Sequence, residues 1–229
     1  MNLRYTNLVK KGLAFARAPR RLLVRESKEM QPLSTKFGFD RGTPIDRKWI
    51  EEFISRNSTD QPGRGLEVGG TEYLERFFKN LKPHRLVVTD DGAPNSVVCD
   101  LEKGITTNEP PFDILIATQV FNFIFDTRAS LRTASSLLKP GGLFIGSVGG
   151  ISQISRYDAD RWGHFYSFTN QSWTRHLREN FSDAQVSSFG NVDSACAYLT
   201  GMCAEEVDKS ILGFHDPDYP VTICFIARK

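Results

Sequence analysis

Cysteine and histidine are scarce in this chain, at four each among 229 residues, and neither is arranged as metal ligands are. Cys99, Cys196, Cys203 and Cys224 form no Cys-x-x-Cys pair and share no spacing with His84, His164, His176 or His215. That excludes the common zinc patterns and leaves buried, reduced thiols as the expectation. No apolar run is long enough to span a bilayer, and no hydrophobic leader with a small-residue cleavage site is present, so a cytoplasmic location is expected. The sequence also lacks Gly-x-Gly-x-x-Gly and Gly-Lys-Ser/Thr, which removes the usual means of holding a dinucleotide pyrophosphate or a nucleoside triphosphate.

Acids are missing from the first 25 positions, where Arg4, Lys10, Lys11, Arg17, Arg20, Arg21 and Arg25 stand alone. The rest of the chain carries 22 of the 29 basic residues against all 27 acids, so a basic arm precedes a mildly acidic body. Leu8, Leu13, Phe15, Leu22, Leu23 and Val24 are interspersed with the cations. This composition fits a peripheral membrane contact, an acidic partner's surface or a solvated leader. No nucleic-acid partner is expected. Residues 26–40 are polar and proline-containing, and the chain divides into an arm and linker over 1–36 and one domain over 37–229.

The body opens with a helix start: Thr43 suits an N-cap, Pro44 the first helical position and Asp46 the first turn, with Ile45, Trp49, Ile50, Phe53 and Ile54 as the apolar stripe. Then comes Arg64-Gly65-Leu66-Glu67-Val68-Gly69-Gly70-Thr71, a buried strand entering a glycine turn. Tyr73, Leu74, Phe77, Phe78 and Leu81 continue it at helical spacing until Lys82-Pro83 stops the helix. Further strands are predicted at Arg85–Asp90, Ser96–Leu101, Pro111–Gln119 and Leu143–Val148. A helix with Leu131, Ala134, Ser135 and Leu138 ends at Lys139-Pro140-Gly141-Gly142. This alternation predicts a doubly wound, mostly parallel sheet.

The strand tips carry the candidate site. Asp90 stands 23 residues after Glu67, where an acid can accept from ribose hydroxyls, with Asp91 beside it; Asp100-Leu101 and Gln119 end the next two strands. Glu72 in the first helical turn would repel a phosphate, so the turn suits an adenosyl group without phosphates, with Glu67 placed to meet a cationic amino group. Residues 149–169 read as a substrate lid, rich in Arg156, Tyr157, Asp158, Asp160, Arg161, Trp162, His164 and Tyr166. A helix with Trp173 and Leu177, a strand at Gln185–Phe189, a helix over Ser194–Val207 and a strand at Val221–Ile226 complete the chain, and the last two strands suggest an antiparallel edge.

On Leu66-Glu67-Val68-Gly69, Asp90, Asp100-Leu101, Phe112–Gln119 and Leu138-Lys139-Pro140-Gly141-Gly142, the chain resembles the class I S-adenosylmethionine-dependent methyltransferases. Asp40–Arg47, Gly150–Asp158 and His215–Tyr219 are similar to a bacterial subgroup associated with glycosyltransferases. The resemblance covers about residues 37–229. It implies a seven-stranded sheet with an antiparallel last strand, S-adenosylmethionine as cofactor, and O-methylation of a sugar or glycan hydroxyl beside a glycosyltransferase partner. Two departures stand out. Gly70 replaces the subgroup's usual acid or amide, and Trp162-Gly163-His164-Phe165-Tyr166-Ser167-Phe168-Thr169 lacks the acid and arginine of its lid motif.

Within that frame Glu67, Gly69, Gly70, Asp90, Asp91, Asp100, Leu101 and Gln119 are expected to hold the cofactor, and Arg156, Tyr157, Trp162 and Tyr166 the acceptor. His164, the lid residue that titrates near neutrality, is the expected base, with Asp160 as its alternative or orienting partner. The altered lid supports a rival of another class, a non-catalytic methyltransferase-fold subunit of a glycan-assembly complex. A nicotinamide oxidoreductase is disfavoured by the missing glycine.

Overall fold

Apolar residues of alternate parity along the strands feed two separate cores, one on each face of a single sheet. In β4 (Phe112–Thr118), Leu115 and Ala117 enter one core while Ile114 and Ile116 enter the other. In β7 (Thr222–Arg228), Ile223, Phe225 and Ala227 oppose Cys224 in the same way. Strands buried on both faces must be continuously apolar, which is how both segments read. The computed structural model describes residues 31–104 and 108–229, and the basic arm expected over residues 1–25 lies outside them.

The remaining strands are β1 (Gly63–Val68), β2 (Leu81–Val87), β3 (Ser96–Val98), β5 (Leu138–Gly149) and β6 (Asp183–Phe189), in the order β3-β2-β1-β4-β5-β7-β6. All are mutually parallel except β7, which pairs antiparallel with β5 and β6. The antiparallel strand is therefore internal, with β6 at the edge; β7 enters between β5 and β6 instead of bordering the sheet.

One face is covered by α1 (Ile45–Arg56), α2 (Glu72–Phe77) and α6 (Val192–Thr200), the other by α3 (Thr127–Ser136) and α5 (Asn170–Arg178). Trp49 of α1 is buried and its indole N–H donates to the Leu212 carbonyl at 3.0 Å, so its large apolar surface carries no unpaired polar atom. Trp173 and Leu177, one helical turn apart, are the buried pair of α5, with Trp173 Nε1 unpartnered among the described residues, and the helix opens with a Thr169–Ser172 capping box. The short α4 (Arg156–Trp162) stands on the lid and α7 (Lys209–Gly213) precedes β7. Residues ahead of α1 are bonded to this body, with the Leu33 amide donating to the Thr200 carbonyl at 2.7 Å.

Several boundaries differ from the sequence prediction. Pro44, not Thr43, is the N-cap residue of α1, and the Thr43 amide is taken by the Glu205 carboxylate at 2.9 Å. The helix after the glycine turn is only six residues, and Leu81, Lys82 and Pro83 belong to β2. Proline is tolerated there because β3 pairs with β2 only from Arg85 onward, leaving Pro83 an open side. Lys139–Gly142 does not end a helix but forms an irregular start of β5, where the register jumps from Phe112↔Leu138 to Ile114↔Leu143.

Candidate functional site

β1 runs outward to β2 and β3 on one side while β4 and β5 lie on the other, so the sheet reverses its winding between β1 and β4. Beyond the carboxyl ends of those strands lies the crevice where open α/β sheets bind ligands. A cavity of about 820 Å³ occupies it. Val68 and Gly69 form its floor, Val88, Thr89, Asp100 and Leu101 one wall, and Gln119, Asn122, Phe123 and Ile124 the other. Over it lie Phe37, Phe39, Asp46, Arg47, Tyr73 and Tyr198 from the α1, α2 and α6 side, and Ser152, Trp162 and His164 from the lid.

Two backbone features shape the floor. Gly69 has φ +83°, and a Cβ placed there would have nothing within 4 Å, so this glycine leaves open space directly above the β1 tip. Gln119, at the β4 tip, adopts φ +54° and its amide donates to the Ser147 carbonyl at 2.9 Å. A non-glycine residue held in the left-handed region at a strand tip is a form of local strain that clusters at functional sites.

One side chain makes three of the bonds that tie down the lid. Asn122, buried in the turn after β4, donates from Nδ2 to the carbonyls of Tyr166 at 2.7 Å and Gly149 at 3.2 Å, and its Oδ1 accepts from the Gly149 amide at 3.0 Å. The Phe165 amide donates to its carbonyl at 2.8 Å. His164 is thereby fixed at the cavity wall, its ring edge-on to Phe123 at 5.2 Å. Burial first, and then Arg156, lower its basicity, so the imidazole is neutral near pH 7, and its buried Nδ1 has no partner among the described residues.

Of the residues named from sequence, Gly69, Asp100, Leu101, Gln119, Trp162 and His164 line the cavity. Glu67 lies beneath the floor: its Oε2 accepts from the amides of Tyr73 and Leu74, both at 3.0 Å, anchoring the start of α2. Burial raises its carboxyl to about 7 against the pull of those two amides. β2 ends at Val87, and Val88 and Thr89 occupy the wall. Asp90 and Asp91 fall into the following turn, where Asp90 accepts from the Gly92 amide at 2.9 Å and Asp91 pairs with Arg85 at 2.5 Å. Gly70, Asp160, Arg156, Tyr157 and Tyr166 are likewise off the lining. The Tyr166 hydroxyl is spent on the Phe125 carbonyl at 2.9 Å, and Tyr157 is stacked under the Arg161 guanidinium at 3.6 Å. Asp100 is paired with Lys103 at 2.9 Å, which lowers its carboxyl.

Sequence reasoning missed a second group on the cavity. Asp46 accepts from the Arg47 amide at 2.8 Å and from the Tyr198 hydroxyl, with Ser152 beside Tyr198 and its own hydroxyl donating to the Gln153 carbonyl at 2.9 Å. Burial raises the Asp46 carboxyl, only partly opposed by those donors. Arg47 lays its guanidinium over Phe39 at 5.1 Å and Tyr73 at 5.8 Å. Asp46 and Tyr198 are 152 positions apart. The signal available was that Asp46, Arg47 and Ser152 fall within the stretches Asp40–Arg47 and Gly150–Asp158, whereas Asp46 was read as a helix-start residue and Tyr198 was not singled out.

The strand order and the internal antiparallel strand decide the architecture. The fold is that of the class I methyltransferases. An S-adenosylmethionine-dependent methyltransferase from Mesorhizobium loti matches with a TM-score of 0.52 at 15% identity, over 81% of this chain and 98% of that one. One from Archaeoglobus fulgidus matches at 0.50 and 15%, over 80% and 94%. The N-methyltransferase NodS from Bradyrhizobium japonicum, in complex with S-adenosyl-L-homocysteine, matches at 0.50 and 15%, over 82% and 88%. No protein-family model and no curated protein matches the chain.

Proposed function

We propose that the protein is an S-adenosylmethionine-dependent methyltransferase acting on a hydroxyl of a sugar or glycan-related acceptor. The observation that supports the cofactor is the chemistry of the cavity. It has an open glycine at the β1 tip, an apolar wall from Leu101, Phe123 and Ile124 for a purine, and Asp100, Thr89 and Gln119 for hydroxyl and amino groups. Among the described residues Arg47 is the one lysine or arginine lining it, which suits an adenosyl ligand without phosphates better than a dinucleotide.

Gly69, Asp100, Leu101 and Gln119 would hold that donor, which supplies a methyl group bound to a sulfonium. The chain's own part is to align an acceptor oxygen with it and to exclude water, through the fixed lid and the roof from α1 and α6. The sugar acceptor, a glycosyltransferase partner and peripheral membrane contact through the basic arm rest on the sequence resemblance and the charge of the arm. A non-catalytic subunit remains the second reading, favoured by the altered lid motif.

Titration calorimetry with S-adenosylhomocysteine separates the two. Binding is expected, with a thermal stabilisation of about 2.7 kcal/mol at a hundredfold excess over Kd. No binding to the full chain would sink the enzyme reading. Mass-spectrometric search for products heavier by one methylene among candidate glycans then identifies the acceptor.

A further inference from the structure

Electrostatics divide the cavity's acceptor end from what a phosphorylated substrate needs. Among the described residues the charged side chains on the lining are Asp46, Asp100, Glu102 and Asp158 against Arg47, and burial lowers the basicity of His164. Of the four acids, Asp100 alone has a cation, Lys103, while Glu102 accepts from the Asp126 amide at 2.7 Å, Asp158 bonds the Ser155 hydroxyl at 2.6 Å and Asp46 accepts from the Arg47 amide at 2.8 Å. No cation forms an ion pair with Asp46 among the described residues, and Arg47 is turned onto two aromatic rings. A phosphate entering here would face uncompensated carboxylates without a guanidinium to receive it.

What does converge at this end is the Tyr198 hydroxyl on the Asp46 carboxylate, with the Ser152 hydroxyl nearby, beside aromatic surfaces from Phe37, Tyr73 and Trp162. Alternating donors and acceptors next to aromatic faces match an uncharged ring bearing hydroxyls. Resting on the methyl-donor reading above, we propose that this end of the cavity is a subsite for an uncharged, phosphate-free polyol or glycosyl group, and that Asp46 receives the proton of the hydroxyl being methylated. The acceptor O–H breaks, its proton passes to an Asp46 carboxylate oxygen and later to solvent, and a carbon–oxygen bond forms. The electron pair of the broken carbon–sulfur bond stays on sulfur, leaving a neutral thioether.

Asp46 suits that role better than His164 on two grounds. Its carboxylate is oriented by an amide and a phenol, whereas the buried Nδ1 of His164 has no orienting partner. Burial strengthens a carboxylate as a base and weakens an imidazole, and the shifts of these two residues run in those directions.

The test uses the full chain saturated with S-adenosylhomocysteine and three probe sets: methyl hexopyranosides, their 6-phosphates, and methyl glycosides of amino sugars. Ligand-observed NMR is expected to show binding of the neutral set in preference to the other two, weakened about tenfold or more in Tyr198→Phe. Preference for phosphates or amines, or no binding by any neutral probe, overturns the subsite. With S-adenosylmethionine and the best neutral probe, Asp46→Asn is expected to lower turnover on the order of 100-fold with probe affinity within about fivefold. Unchanged turnover, or an equal loss in His164→Gln, overturns the assignment of the proton to Asp46. Failure of S-adenosylhomocysteine to bind while neutral probes bind would instead overturn the donor reading and leave the subsite standing.

Discussion

The side-chain amide of Asn122 donates to the Tyr166 carbonyl at 2.7 Å, and this bond holds the loop carrying His164 against the tips of β4 and β5. Because the same side chain both donates to and accepts from Gly149, lid and sheet share one buried residue. Asn122→Ala removes three bonds, taking their side-chain partner from the Gly149 amide and the Tyr166 carbonyl while the Gly149 carbonyl keeps the Phe168 amide. The expected cost is about 2–4 kcal/mol. Thermal unfolding should report it as a lower Tm, and hydrogen exchange should accelerate at residues 163–168; unaltered protection there would show that the lid is held by other contacts.

Gly69 and Gly70 are adjacent but carry different constraints. Gly69 requires a positive φ with open space above it, while Gly70 does not. A Cβ on Gly70 would meet only the Glu72 carboxylate, the free end of an exposed side chain that can swing away. Gly69→Ala is expected to cost about 1 kcal/mol and to weaken S-adenosylhomocysteine, Gly70→Ala to change stability by less than about 0.5 kcal/mol. Equal effects in urea titrations would remove the conformational role assigned to Gly69.

Glu67 makes stability depend on pH. Its carboxyl is raised from 4.5 to about 7 by burial, with Glu72 and Glu75 adding to the rise and the Tyr73 and Leu74 amides opposing it. The folded state therefore binds its proton more tightly than the unfolded chain. This contribution is complete below pH 4.5 and is lost as pH rises through 7. Glu67→Gln keeps an oxygen for the two amides and is expected to stabilise the protein at pH 8, by on the order of 3 kcal/mol at most, but not at pH 4.5. Parallel pH–stability curves for the two proteins would contradict it.

Gly146 marks the close approach of β4 and β5. A Cβ there would sit 1.9 Å from the Ala117 carbonyl oxygen, where no side chain can move aside. Gly146→Ala is expected to shift this register or prevent folding, at a cost of several kcal/mol. Near-native melting and circular dichroism would show that the strands can separate without loss.

Much of the architecture is local and therefore legible in the sequence. Ile114–Ala117 is apolar at successive positions because both faces of β4 are covered, and Ser187–Phe189 or Trp173–Leu177 keep the period of their own element. Boundaries were misread where pairing overrode propensity. Lys82-Pro83 and Lys139–Gly142 look like helix stops, yet each was recruited into a strand because a neighbour supplied hydrogen bonds on the side that proline and glycine leave free. Position along the chain likewise placed Asp90 at a strand tip, whereas β2 ends three residues earlier and the acid closes its own turn.

By itself the sequence determined the alternation of elements, the glycine turn at Gly69 and the absence of any phosphate-binding motif, all of which depend on neighbours within a few residues. Tertiary structure alone decided which side chains share the cavity. It turned Glu67 under the floor, where two amides of α2 claim it, and brought Asp46, Ser152 and Tyr198 together from α1, the lid and α6. Such a meeting depends on how three distant elements pack over one sheet, and no spacing along the chain records that.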